Sequence, residues 1–220
     1  MDREQSWWAI EQQRRAIAAL LGELTAAEWD TPSLCTGWRV REVAAHIAMA
    51  PQRIPLWAIV REFARAHGDY NVLVDTITRE HARRPTAELA TDIADTAASR
   101  RLPIVTNYRN VLFDIIVHGQ DISIPLGRPL TVPVDAAAAA ATRAYAVGWP
   151  VWKRHRLDGF RLRATDTAWT AGEGAEVAGP ITALLLLITG RPIALGQLTG
   201  LGVDDVAVRL EQRVGRSRGP

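Results

Sequence analysis

From Val111 to Ile122 the chain runs Val111-Leu112-Phe113-Asp114-Ile115-Ile116-Val117-His118-Gly119-Gln120-Asp121-Ile122. Apolar side chains recur there at helical spacing, so the segment is expected as a helix that neighbours must cover. Yet Asp114 and His118 stand within it, i and i+4, one above the other on a single face. Apolar residues flank Asp114 on both sides, which places it at least partly inside, and a buried carboxylate requires a cation or hydrogen-bond donors. An earlier helix, expected from Arg39 to Ala50, lines Val40, Val43, Ile47 and Ala50 on one face. Ala44 and Ala45 allow a neighbour close, and His46 sits beside that face. Packed together, the two helices would bring His46, Asp114 and His118 to one point.

The rest of the first part of the chain is also helical in period. Ser6 to Leu24 places Trp8, Ile10, Ile17, Leu20, Leu21 and Leu24 at helical spacing. Thr25-Ala26-Ala27-Glu28 is a capping-box pattern and opens a short helix ending near Trp29. Thr31 to Gly37 is expected as a loop. Further helices are expected over Leu56–Ala66, Asn71–Arg83, Ala87–Arg100, Val105–Ile122 and Asp135–Val147. After Pro150 glycine becomes frequent and Phe160–Ala164 alternates with period two. Strands are expected there, at Ala168–Thr170 and at Ala175–Val177, with Gly172-Glu173-Gly174 as a hairpin turn. Helices are expected after Pro180 to Thr189 and over Val203–Glu211. The fold class is therefore α+β: a helical bundle over residues 1–150, then a small α+β domain over 151–220.

Composition excludes several classes. Of 220 residues 48% are hydrophobic and the net charge is +2, which suits a folded protein with a substantial core. Basic residues are dispersed, and the short Arg213–Arg218 tail is read as fraying in solvent, so neither nucleic acid nor a membrane is expected as partner. The single cysteine, Cys35, excludes an internal disulfide and a Cys-rich zinc site. It has no charged neighbour in sequence and reads as a packed small residue. The mixed-charge N-terminus lacks an apolar signal core, and the longest apolar run, Ile181–Ile188, is far short of a membrane span. A cytoplasmic protein is expected, monomeric or homodimeric.

Two ligands one helical turn apart on a rigid helix, with a third from a facing helix, are a common way to build a metal centre in a bundle. Two imidazoles and one carboxylate with an open position suit catalytic Zn2+, and also tolerate Fe, Ni or Mn. Asp121, three residues after His118, could orient that histidine from behind, cap the helix or serve as an extra ligand. Trp38 anchors its loop or touches ligand. Arg53 would share the face of His46 if the helix continued past Pro51, and could then hold a carboxylate. His67 and His81 lie in charged surroundings and read as exposed; His155, inside Lys153–Arg156, reads as a solvated linker residue.

The segment Thr36-Gly37-Trp38-Arg39-Val40-Arg41-Glu42-Val43-Ala44-Ala45-His46 resembles the first signature of the DinB-like, mycothiol-dependent maleylpyruvate isomerase family. Asp114 and His118-Gly119-Gln120-Asp121-Ile122, followed by Pro125-Leu126-Gly127-Arg128-Pro129, resemble its second. Leu157–Asp166, Gly179-Pro180 and Thr189-Gly190-Arg191 look like its C-terminal domain. The resemblance implies a four-helix bundle holding a divalent metal, usually zinc, on His46, Asp114 and His118, with mycothiol as thiol co-substrate. It also implies a C-terminal arginine that helps catalysis, for which Arg191 and Arg209 are the candidates. In the isomerase itself the first member of the later ligand pair is a glutamate; here it is Asp114, one methylene shorter.

The expected function is a metal-binding, mycothiol-dependent transferase or isomerase acting on a small electrophile through a metal-activated thiolate. Addition, bond rotation and elimination would isomerise an alkene; addition alone would make a thiol transferase. The first alternative is a non-catalytic module that binds metal or a small ligand. The second is a structural bundle in which His46 and Asp114 hydrogen-bond each other.

Overall fold

The computed structural model describes residues 1–52, 61, 67–102, 106–147 and 157–216. Arg53, the expected helix Leu56–Ala66 and His155 lie outside them. The described chain divides into two compact units, Asp2–Thr131 and Val132–Pro220.

In the first unit, α1 (Arg3–Gly22) starts at a capping box. The Asp2 carboxylate accepts from the Gln5 amide, and the Gln5 side chain accepts from the Asp2 amide. Its inward face is Trp7, Ile10, Arg14, Ile17 and Leu21. Trp7 rather than Trp8 is thus the core tryptophan, at 4% exposure against 61%. Adjacent residues on a helix are about 100° apart, so only one of the pair can share the face of Ile10 and Ile17. The expected Thr25–Glu28 box opens α2 (Ala26–Trp29).

Helix α3 (Val40–Met49) begins at Arg39, whose backbone amide donates to the Glu42 carboxylate. It is followed by α4 (Tyr70–His81), α5 (Thr86–Asp95) and α6 (Tyr108–Ser123). Helices α1 and α3 each pack against both α5 and α6, which closes a four-helix bundle, and α4 lies on α3. Helix α5 stops at Asp95 rather than Arg100. The buried Arg14 guanidinium collects the carbonyls of Thr96, Ala97 and Ser99, drawing that stretch out of helical geometry. Helix α6 starts at Tyr108 because the Asn107 side chain accepts from the Arg109 and Asn110 amides.

In the second unit, α7 (Val134–Val147) packs on α8 (Ile181–Ile188). The division therefore falls at Thr131, not at residue 150. Helical period fixes that α7 is a helix, but not which neighbour receives its face of Ala136, Ala137, Ala140, Ala141 and Ala144. The sheet has order β2-β1-β3, with β1 Phe160–Ala164, β2 Thr170–Ala171 and β3 Ala175–Gly179. Strand β2 is antiparallel to β1, and β3 is parallel to it. Helix α8 covers the sheet with a nearly all-apolar surface, and Asp166 caps it by accepting from the Ile181 amide at 2.9 Å.

Gly172-Glu173-Gly174 is not a hairpin turn, because the strands it joins lie on opposite sides of β1. It carries the chain across the start of β1 at backbone contact. A Cβ on Gly174, where φ is +117°, would stand 2.1 Å from the Gly159 carbonyl oxygen. A 3-10 helix (Pro192–Gln197) and α9 (Val203–Arg216, longer than the expected 203–211) follow. No helix among the described residues is long and apolar enough to cross a membrane.

Candidate metal centre

The helices α3 and α6 carry the expected donors to one place. His46, Asp114 and His118 each present a ligand atom, and these atoms lie within 4.8 Å of one another. Asp114 spans the two imidazoles. Its Oδ1 is 3.4 Å from His118 Nε2 and its Oδ2 is 3.7 Å from His46 Nε2. Both separations exceed a direct N–H···O hydrogen bond, so the bond between His46 and Asp114 expected of a purely structural bundle is not made. They lie close to the spacing of donors around a shared ion, the first inside it and the second just beyond it. Atoms bound tetrahedrally about 2.0–2.2 Å from zinc stand roughly 3.3–3.6 Å apart. The residues present therefore fit a divalent cation. The side chains are 13–35% exposed, so the centre is reachable from solvent.

Behind His118 the distances change character. Its Nδ1 lies 2.9 Å from Asp121 Oδ2, a direct hydrogen bond to a fully buried carboxylate. With Nδ1 engaged, Nε2 is the nitrogen turned to Asp114. His46 differs, since its Nδ1 is buried with no hydrogen-bond partner among the described residues.

The charges follow this geometry. Burial acts to raise the Asp114 pKa, but His118 and His46 outweigh it and hold the carboxyl well below the usual range. Burial acts to lower the His118 pKa, but Asp114 first, then Cys35 and the hydrogen bond to Asp121, outweigh it and raise the imidazole well above its ordinary value. Tyr70, unremarked in the sequence, is close enough that burial and the Asp114 charge both raise its phenol.

One wall of the centre is the Thr31–Arg39 loop. It closes on itself through backbone bonds from Ser33 to Trp38 and from Val40 to Thr31, with Gly37 at φ +82° making the turn. Arg79 donates to the Gly37 carbonyl at 2.8 Å, and the Trp38 indole donates to Asp75 at 2.7 Å. Asp75 in turn accepts from Arg79, so α4 latches the loop. The Trp38 ring thereby lies 5.5 Å from the His46 ring and 6.4 Å from the His118 ring.

Sequence reasoning missed Cys35. Its thiol donates to Asp121 Oδ2 at 3.0 Å and lies 3.7 Å from His118 Nδ1. The partners are far away in sequence, so no local pattern could reveal them. Only the capped α6 and the folded loop bring them together. His81, expected exposed, is half-buried, and burial lowers its pKa with Arg84 adding to the effect. His67 is exposed as expected. The candidate arginines are engaged inside the second unit. Arg191 donates to the Thr189 carbonyl, and Arg209 donates to the Asp158 carbonyl and lies over the Phe160 ring.

A four-helix bundle with two imidazoles and a carboxylate converging from facing helices defines a class, that of bundles with a potential metal centre on inward-facing side chains. Comparison with known families narrows it. Residues 10–104 match the family model of the mycothiol maleylpyruvate isomerase N-terminal domain. Over that segment the chain is similar to this domain family. The match includes His46 and stops before Asp114 and His118. Among solved structures, the mycothiol-dependent maleylpyruvate isomerase aligns over 91% of this chain and 93% of its own, with TM-score 0.62 and 14% identity. A histidine-to-alanine mutant of that isomerase aligns over the same shares with TM-score 0.59. At this identity the likeness establishes the fold, through both units. No curated protein matches this sequence.

Proposed function

We propose that the protein binds a divalent cation, Zn2+ in the first instance, through His46, Asp114 and His118, and that it is a mycothiol-dependent isomerase or transferase acting on a small electrophile. The observation that carries this reading is the convergence of three donor atoms within 4.8 Å on a bundle whose N-terminal segment matches the isomerase domain family. An ion held there would stabilise a thiolate at neutral pH and so supply the nucleophile.

The chain's own residues do the rest. Asp114 brings negative charge between the two imidazoles, and Asp121 keeps His118 turned so that Nε2 faces the centre. Trp38, latched by Asp75, gives the small substrate and thiol an apolar wall and excludes water from that side. Asp114, shorter than the glutamate of the isomerase, sets the carboxylate back toward its own helix and leaves more room before the two histidines. The protein would act in the cytoplasm, where a low-molecular-weight thiol is kept reduced, and needs neither nucleic acid nor a membrane.

The test is metal analysis of protein purified without chelator, beside His46→Ala, followed by mycothiol assays. Expected are about one ion per wild-type chain, none in the variant, and metal-dependent turnover of a small electrophile such as maleylpyruvate. Equal metal in both proteins, or no metal-dependent reaction across a panel of activated alkenes and epoxides, would overturn the reading.

A further inference from the structure

The sulfur of Cys35 sits behind the proposed centre, on the side of His118 away from Asp114. Three observations place it. Its Sγ is 3.0 Å from Asp121 Oδ2, the same oxygen that accepts from His118 Nδ1 at 2.9 Å. The neighbouring Leu34 amide donates to the Asp121 backbone carbonyl at 3.2 Å, so loop and helix are tied at both ends of the aspartate. The Cys35 amide in turn donates to the Ser33 hydroxyl oxygen at 3.1 Å, and that hydroxyl donates to the Trp38 carbonyl at 2.8 Å. The thiol is thus a fixed part of the loop.

We propose that Cys35 is a positioning residue for the metal centre: its thiol holds the Asp121 carboxylate in the one orientation that keeps His118 Nδ1 engaged and Nε2 facing Asp114. This rests on the metal reading above and extends it by one shell. A carboxylate can turn about its terminal torsion, which is broad and roughly two-fold. A donor from the loop on the same oxygen that accepts from His118 Nδ1 opposes that turn. Residues that orient a ligand histidine affect metal affinity by roughly 10–100-fold. Cys35 acts one bond further away, so its share is expected below that range, about 3–10-fold.

The sulfur has a different role if it binds the ion itself, since Cys35, His118 and Asp121 also form a cluster of metal-competent groups. The two direct hydrogen-bond distances, 3.0 and 2.9 Å, favour the positioning role over direct ligation.

The experiment compares wild type, Cys35→Ser, which keeps a donor, and Cys35→Ala, which does not. Zn2+ affinity by chelator competition should fall about 3–10-fold in Cys35→Ala and stay near wild type in Cys35→Ser. In metal-free protein, the His118 imidazole N–H proton should exchange slowly by NMR in wild type and Cys35→Ser, and faster in Cys35→Ala. Far-UV circular dichroism checks that each variant is folded. Unchanged affinity or unchanged proton exchange in Cys35→Ala overturns the proposal, as does a Cys35-dependent sulfur-to-metal charge-transfer band in Co2+-loaded protein. Should wild type bind no zinc, the metal reading fails while the proton-exchange result still decides the part assigned to Cys35.

Discussion

The two units bury different things. In the second, α8 and the strands beneath it are filled by Leu184, Leu185, Leu186, Leu187, Phe160 and Leu162, and Thr189 is the one buried polar side chain among the described residues. In the first, Arg14, Gln13, Glu42, Gln120 and Asp121 are all buried. Apolar burial is non-directional and asks chiefly for volume. A buried polar group asks for a partner at a stated distance and angle. Arg14 is answered by three carbonyls, Gln13 by the Thr131 carbonyl and Asp121 by His118 and Cys35. The second unit is built to be stable. The first accepts desolvation of charge in exchange for fixed positions, and one of the residues so fixed, Asp121, stands directly behind His118.

The largest expected effect separates the two kinds of core most sharply. Asp114→Ala or His118→Ala should abolish zinc binding at micromolar protein, because even a partner outside the coordination sphere is worth roughly 10–100-fold. Helical content should persist, since both side chains are partly exposed and neither fills the bundle core. Zinc retained at wild-type affinity in either variant would remove the reason given for the first unit's polar interior.

The complementary break is Leu185→Ala. Leu185 is fully buried in α8, so its truncation should destabilise the second unit by about 2–5 kcal/mol, read as a shift in the denaturant midpoint. Zinc affinity should not move. Equal effects on stability and on zinc would show that the two cores do not have the separate roles assigned to them.

How far these roles were legible in the sequence follows the same division. The four-residue helix α2 was readable because Thr25 and Glu28 satisfy each other locally. Helix α3 was readable to within a residue at each end, and the approach of His46 to Asp114 and His118 followed from helical period plus one packing assumption. What escaped was non-local. Cys35 looked inert because its carboxylate partner is on a helix far along the chain. Helix α7 was assigned to the bundle because an alanine face does not name its neighbour. Gly172-Glu173-Gly174 has the composition of a turn, and only the strand order reveals that it passes over the start of β1. Local chemistry is written in the sequence; the choice among packing partners is settled by the whole fold.

The smallest expected effect tests whether polar contacts matter in the first unit only where they are buried. Glu28 lies near the surface, with its carboxylate accepting from the Thr25 amide and hydroxyl, each at 2.8 Å, and from Arg128 at 2.8 Å. The Thr25 amide, then its hydroxyl, then Arg128 hold the Glu28 pKa down to about 2. A folded-state pKa below the unfolded value contributes stability above the unfolded pKa, near 4.3, and loses it as pH falls toward 2. Glu28→Gln should therefore lower stability above that window, flatten the profile within it and converge with wild type as pH falls toward 2. Because Glu28 lies near the surface, the loss at neutral pH should be small beside that of Leu185→Ala. The Glu28 carboxyl should titrate near 2 by NMR. A midpoint near its unfolded value, or a neutral-pH loss as large as that of Leu185→Ala, would mean that exposed contacts in this unit are held as tightly as buried ones, and the contrast between the two cores would lose its physical basis.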